Sequence, residues 1–303
     1  MNRGGRFAPS PTGPLHLGSL LAALASRLDA LHAGSRWHLR IDDLDTSRCR
    51  PGFEQAILRT LAAFGFRADP PLFHQSARRP RYEWATARLE ADGLTFACDC
   101  SRRERAALGI AGEPDSLCVS DCRQRRPDPG HSALRADLGS LTAVEVQDRS
   151  LGRIRFDPAV HRDVVIRRRD GLHAYPLAVV LDDADQGVTD VVRGADLLDG
   201  TPVQIALHQA LGLRVPTYLH VPLLVEPDGS KLAKSRRSVP VDATDPCRTL
   251  AALLELLGQP APPADAECDL EAIWGWAAAH WSEKGFGGTR KIPVPPNLGA
   301  GRA

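Results

Sequence analysis

The sequence predicts an α/β fold built on a doubly wound parallel sheet, with a small insertion and a short helical C-terminal region. Three observations predict it. Apolar residues recur at helical spacing in several segments. Short apolar or alternating runs that read as strands stand between them. Loops dense in proline and glycine join strand ends to helix starts. At 303 residues the chain has room for one large core or two smaller ones.

The elements follow in order. Arg6-Phe7-Ala8 is a short apolar start, and Pro9-Ser10-Pro11-Thr12-Gly13-Pro14 is loop. Leu20, Leu21, Leu24, Leu28 and Leu31 mark a helix that Gly34 ends. Trp37 to Ile41 alternates like a strand and runs into Asp42-Asp43-Leu44-Asp45. Amphipathic helices are predicted over roughly Gly52 to Phe64 and Arg81 to Leu94. The rhythm breaks from 96 to about 160, where cysteines, prolines and glycines crowd together with short pieces such as Gly152 to Phe156. It returns with Asp163-Val164-Val165-Ile166 and with Ala178-Val179-Val180-Leu181. A helix from Pro202 to Leu211 and a strand near Tyr218 to Val225 follow. Beyond Ser235, helices are predicted around Arg248 to Leu257 and Leu270 to His280, and the end from Gly285 reads as loose. The implied division is 1–95 and 163–240 for the halves of the sheet domain, 96–162 for the insertion and 241–303 for the C-terminal region.

Composition excludes little. The apolar share of 43% and charged share of 25% are ordinary for a globular protein. No apolar run approaches the ~20 residues of a membrane span, and Met1 to Ser10 holds no signal-peptide core, so a cytoplasmic protein without a membrane partner is expected. A net charge of +1 neither suggests nor excludes RNA, because charge is clustered. Arg102, Arg103 and Arg105, then Arg123, Arg125 and Arg126, then Arg167, Arg168 and Arg169 could each track phosphates or form a solvated face.

The most informative stretch runs from Arg6 to Ser19: a strand end, a rigid proline loop and a helix start. Backbone N–H groups and the helix dipole at His16 to Ser19 favour an anion, and Gly18 permits close approach of a ligand. In open α/β sheets ligands bind beyond the carboxyl ends of the strands, so a phosphate chain fits here. A second loop, Lys231-Leu232-Ala233-Lys234-Ser235, follows the turn-forming Asp228-Gly229-Ser230. Two lysines in a mobile loop can close over a triphosphate and offset the charge of departing pyrophosphate.

These loops resemble the two signatures of class I aminoacyl-tRNA synthetases. His16-Leu17-Gly18-Ser19 is similar to HIGH, with the serine variant of the glutamyl and glutaminyl branch, and Arg6 to Gly13 resembles that branch closely. Lys231 to Ser235 is similar to KMSKS but departs at Leu232 and Ala233. The resemblance implies a Rossmann-like catalytic domain in which His16, Lys231 and Lys234 are catalytic. It implies ATP binding by Pro9, His16, Gly18, Ser19 and Lys234, with Mg²⁺ accompanying the ATP.

Selecting glutamate needs a cation for its side-chain carboxylate and an anion for its α-ammonium. Arg6 can supply a forked partner. By resemblance, Arg6, Phe7, Ala8, Pro9 and Ser10 line the L-glutamate site. Arg40-Ile41-Asp42-Asp43-Leu44-Asp45 resembles R-[IF]-E-D-T-D, with Asp42 one methylene shorter than the family's amino-group partner. Leu172 to Asp183 resembles Y-x-L-A-x-V-V-D-D, and Val192 to Leu198 resembles V-[IV]-R-G-x-D-L-L. Those matches imply Tyr175 and Arg193 as glutamate contacts. Arg193 can alternatively serve as an ion-pair partner of Asp182 or Asp196.

Seven cysteines are present, and Cys98, Cys100, Cys118 and Cys122 form C-x-C…C-x3-C. Four thiolates can close a tetrahedral structural Zn²⁺ site and stabilise an insertion with little core of its own. The alternative is four reduced thiols or a labile disulfide. The related insertion of the family can carry tyrosine at the third ligand position, where this sequence has Cys118. Its implied job is to hold the insertion against a tRNA acceptor stem. Cys49, Cys247 and Cys268 read as incidental thiols.

The resemblance runs out near residue 240. About seventy residues remain after the second loop, too few for a helical anticodon-binding domain. Glutamyl-type signatures, a cysteine-rich insertion and a short C-terminus together are similar to the glutamyl-queuosine tRNA(Asp) synthetase family. That resemblance implies ATP-dependent activation of L-glutamate and its transfer to queuosine in the anticodon of tRNA(Asp). The alternatives are a compact glutamyl-tRNA synthetase that charges a tRNA 3′ end, and a zinc-containing RNA-binding module with a decayed active site.

Overall fold

The computed structural model describes residues 3–50, 52–101, 103–104, 117–226, 229, 240–263, 269–295 and 298. Strand β1 (Gly4–Phe7) is buried along its whole length. It pairs in parallel with β2 (Arg36–Ile41), which pairs in parallel with β3 (Asp69–His74). On its other side β1 lies alongside β9 (Asp190–Gly194): Thr189 N donates to Gly4 O at 2.8 Å and Gly4 N to Thr189 Oγ1 at 3.0 Å. Strand β9 pairs in parallel with β10 (Thr217–Val221), and β10 meets β6 (Glu145–Asp148), which forms a hairpin with β7 (Gly152–Arg155). Strand β6 belongs to the 96–162 segment yet joins the sheet of β9 and β10.

Helix α1 (Leu17–His32) covers one face of this sheet and buries Leu20, Leu21, Leu24 and Leu28, the residues whose spacing marked it. Strand periodicity sends Phe7, Leu39, Val192 and Leu219 into the same core. Their neighbours Arg6, Arg40, Arg193 and His220 therefore stand on the opposite face, also buried. There α5 (Tyr175–Asp185) and α6 (Thr201–Ala210) pack, with α3 (Arg79–Ala91), around a second core. The apolar run from Ala178 to Leu181 is the middle of α5. Continuous burial from Leu177 to Asp183 erases the helical period that would have told helix from strand.

A smaller antiparallel sheet joins β4 (Thr95–Cys98), β5 (Ala133–Asp137) and β8 (Asp163–Arg167) beneath that second core. The short helix α4 (Cys122–Arg125) sits at its cysteine end. Helix α2 (Phe53–Ala63) starts just after Gly52 and packs Ile57 and Leu61 on the first core. Pro222 separates β10 from β11 (Leu223–Val225), where one strand was expected.

The C-terminal helices α7 (Pro246–Leu256) and α8 (Leu270–His280) dock on α1. Trp281 is buried and donates to Asp29 Oδ1 at 3.2 Å, and the Trp274 indole donates to Phe64 O at 3.0 Å. Arg149 bridges Asp29 and Glu283 at 2.7 and 2.6 Å. Gly258, at φ +60°, faces Gly285, where a Cβ would stand 2.3 Å from the Gly285 carbonyl oxygen. The end expected to be loose is ordered as far as described: β12 (Lys291–Pro293) pairs with β11, and Phe286 and Val294 are buried. Apolar anchors there outweigh the turn-rich composition.

Candidate active site

His16 caps α1. Its Nδ1 accepts the Ser19 backbone N–H at 3.2 Å, so the proton of the neutral ring resides on Nε2, which lies 3.0 Å from Ser19 Oγ. Burial lowers the His16 pKa, which keeps the ring neutral. At Gly18 a Cβ would stand 3.2 Å from His16 Nδ1, so a side chain there would press the ring aside by a few tenths of an ångström. Pro9 is buried, Ser10 exposed, and Asp42 N donates to Pro9 O at 3.0 Å, which ties the proline loop to the end of β2.

Beside this loop lies a buried layer of charge. Arg6 Nε reaches both carboxylate oxygens of Asp183 at 3.2 Å, and its Nη1 donates to Val192 O. Arg40 is fully enclosed and bonds Asp42 at 2.8 Å, Asp183 at 2.7 Å and Gln186 at 2.9 Å. Burial opposes the Arg40 charge, but Asp42, Asp183 and Asp182 together raise its pKa. Burial likewise works against the Asp183 carboxylate, and Arg6 and Arg40 overcome it to hold its pKa below the usual value. Asp42 is balanced differently. Burial pushes its carboxyl up to about 6, against the attraction of Arg40. Asp182 takes hydrogen bonds from Gln75, Arg78 and Tyr82.

Tyr175 begins α5 and sits within electrostatic reach of Arg193, Asp42, Arg6 and Asp183, with burial raising its pKa. A cavity of about 140 Å³ opens beside it, lined by Ser10, Asp42, Asp45, Gln75, His173 and Tyr175 among others. His173 Nε2 and Arg40 Nη2 are buried without a hydrogen-bond partner among the described residues.

Arg193 is held by neutral acceptors. Its Nη1 donates to Gln204 Oε1 at 2.7 Å, its Nη2 to Thr201 Oγ1 at 2.9 Å and Leu197 O at 3.2 Å, and its Nε to His220 Nε2 at 3.1 Å. His220 Nδ1 lies 2.7 Å from Asp148 Oδ2.

The four thiols of Cys98, Cys100, Cys118 and Cys122 all lie within 4.8 Å of one another. Three of the S···S distances are 3.8, 3.6 and 3.8 Å. Four sulfurs bound at ~2.3 Å around one tetrahedral ion stand about 3.8 Å apart, so the donor set fits a closed Zn²⁺ site. Burial pushes the Cys98 thiol up, and a dication is what would favour thiolates there.

The structure thus gathers Arg6, Asp42, Tyr175 and Arg193 near one another, with Pro9 and Ser10 on the adjoining loop. Phe7 points into the first core and Ala8 is half-buried. Lys231 and Lys234 lie outside the described residues, as does Cys268. Sequence reasoning missed Asp183, which organises both arginines, and the Asp148–His220 pair. Asp183 stood inside a quoted motif; nothing in the sequence signals Asp148.

The sheet, the capped proline loop and the charge layer are those of a class I synthetase catalytic domain. The family described as tRNA synthetases class I (E and Q), catalytic domain, matches residues 4–259, and the chain belongs to it. More particularly, the chain is 49% identical to the glutamyl-Q tRNA(Asp) synthetase of Xanthomonas campestris pv. campestris over 279 residues, 92% of this chain and 91% of that one. It is 46% identical to the protein of the same name from Pseudomonas aeruginosa, over 91% of this chain and 92% of the relative. The fold is also that of a glutamate tRNA ligase from Elizabethkingia meningosepticum crystallised in complex with its amino acid, with TM-score 0.75 and 23% identity over 99% of this chain and 68% of that one.

Proposed function

We propose that the protein activates L-glutamate with ATP and transfers it to queuosine in the anticodon of tRNA(Asp). The observation that carries the reading is the convergence of Arg6, Asp42, Tyr175 and Arg193 beside the His16-capped helix, in a chain whose near-full-length relatives carry the glutamyl-Q tRNA(Asp) synthetase name.

In this reading a glutamate α-carboxylate oxygen attacks the α-phosphorus of ATP, the bond to the β-phosphate oxygen breaks, and pyrophosphate leaves. A hydroxyl of the modified base then attacks the activated carbonyl carbon and AMP departs. The protein positions the reactants and stabilises charge. Arg6 and Arg193 meet the side-chain carboxylate, Asp42 the α-ammonium, and the Tyr175 hydroxyl completes the hydrogen bonding. His16, Gly18 and Ser19 at the start of α1, with Pro9 on the loop before it, face the phosphates, and Lys231 and Lys234 offset their charge. Zn²⁺ held by Cys98, Cys100, Cys118 and Cys122 is structural, and Mg²⁺ accompanies ATP as substrate. ATP, glutamate and tRNA are cytoplasmic reactants, which assigns the protein to that compartment.

The first test is glutamate-dependent ATP–pyrophosphate exchange without tRNA. Exchange with glutamate and none with glutamine or aspartate is the expected result. Absence of exchange both with and without tRNA would refute activation and favour a binding module.

A further inference from the structure

Arg193 has five N–H groups, and four are committed within its own protein environment. Three of those bonds go to Gln204, Thr201 and a backbone carbonyl, which fix the two terminal nitrogens. The fourth, from Nε, goes to His220 Nε2. That nitrogen must be an unprotonated acceptor, so the His220 proton sits on Nδ1 and is donated to Asp148 at 2.7 Å. Both His220 and Asp148 are fully buried, and burial lowers the His220 pKa although Asp148 opposes this. Asp148 is itself anchored by the backbone N–H groups of Ser150, Leu151 and His220. The other groups facing His220 are Thr201, at 3.4 Å from Nε2, the stacked Tyr218 ring on its own strand, and more distantly Arg6.

We infer that His220, locked in its Nδ1–H tautomer by Asp148, is a positioning residue that sets the plane of the Arg193 guanidinium for glutamate. Asp148 bonds the ring on one side and Arg193 bonds it on the other. Among the described residues, the hydrogen-bond partners that orient the guanidinium are a histidine, an amide, a hydroxyl and a backbone carbonyl, none of them a carboxylate. The device also explains why β6 of the inserted segment enters the catalytic sheet: it delivers Asp148 beneath the site. This inference rests on the reading of Arg193 as a glutamate contact.

The test compares two substitutions of one ring in the exchange assay. His220→Gln places an amide near Nε2 and can still accept from Arg193. His220→Asn places its amide near Nδ1 and cannot. The expected result is a glutamate KM raised about tenfold in His220→Asn, with kcat and the ATP KM little changed, and most of that loss recovered in His220→Gln. Equal effects in both variants, or none in either, would overturn the inference. ¹⁵N NMR of histidine-labelled wild-type protein gives a check independent of variant folding: an Nδ1–H tautomer at neutral pH is expected, and an Nε2–H tautomer or an imidazolium would contradict it. Arg193→Lys separates the underlying reading. If it leaves the glutamate KM unchanged, Arg193 is not a glutamate contact. If it raises KM while His220→Asn does not, the positioning role alone fails.

Discussion

Arg6 and Asp183 stand 177 residues apart in the chain and meet in the buried charge layer, with Arg6 Nε 3.2 Å from both carboxylate oxygens of Asp183. Asp183 simultaneously holds Arg40 at 2.7 Å, so one carboxylate organises two enclosed guanidinium groups. Asp183→Ala leaves both without their shared partner and is expected to cost about 3–5 kcal/mol of folding stability in urea titrations. Arg6 and Arg40 hold the folded-state pKa of Asp183 below the ordinary carboxylate value, so its contribution is present above pH ~4 and is lost as pH falls through the folded value. The stability difference between wild type and Asp183→Asn should narrow over that acid range. A difference that stays constant would contradict the ion-pair role.

Asp42 predicts the pH dependence of glutamate use. Its carboxyl titrates at about 6 in the free protein, and only the ionised form attracts the α-ammonium. The glutamate KM is therefore expected to rise as pH falls below about 6, by up to tenfold per unit. Asp42→Asn should show a high KM throughout and lose this acid limb. Steady-state exchange between pH 5 and 8 measures both.

The cysteine cluster predicts metal content. Metal analysis should find one zinc per chain, and Cys122→Ser should lose it. Chelation should weaken hydrogen-exchange protection in β4 and β5, which border the cluster, before it affects β1 and β2. Protection unchanged by complete zinc removal would separate the metal from the small sheet.

Trp281 predicts how firmly the C-terminal region is joined to the sheet domain. Its ring is buried against the first core, and its indole bonds Asp29, which Arg149 also holds. Trp281→Ala should cost about 3–5 kcal/mol by the loss of packing and the cavity left behind. The fall should appear in a single cooperative unfolding transition. Separate loss of the C-terminal helices would show that they form an independent unit.

What was legible in the sequence was local. The proline loop and helix start from Arg6 to Ser19 declared themselves by dense backbone constraint, and α1 by its leucine spacing. The thiols were close in sequence and are close in space. Strand β3 was missed because Pro70 and Pro71 argue against a strand, and the C-terminal end because its buried anchors, Phe286 and Val294, are isolated among turn residues. Long-range charge partners were illegible. A sequence shows that Arg6, Arg40 and Arg193 exist but not that strand alternation turns all three onto one buried face, or that Asp183 and His220 wait for them there.

Delivery of glutamate to an anticodon base is the step that defines the proposed activity. Its most direct test is to incubate the protein with ATP, radioactive glutamate and queuosine-containing tRNA(Asp), digest the tRNA and locate the label. Label on the anticodon fragment, absent when the tRNA lacks queuosine, is the predicted result. Label on the 3′-terminal fragment would contradict the claim and make the protein a compact glutamyl-tRNA synthetase.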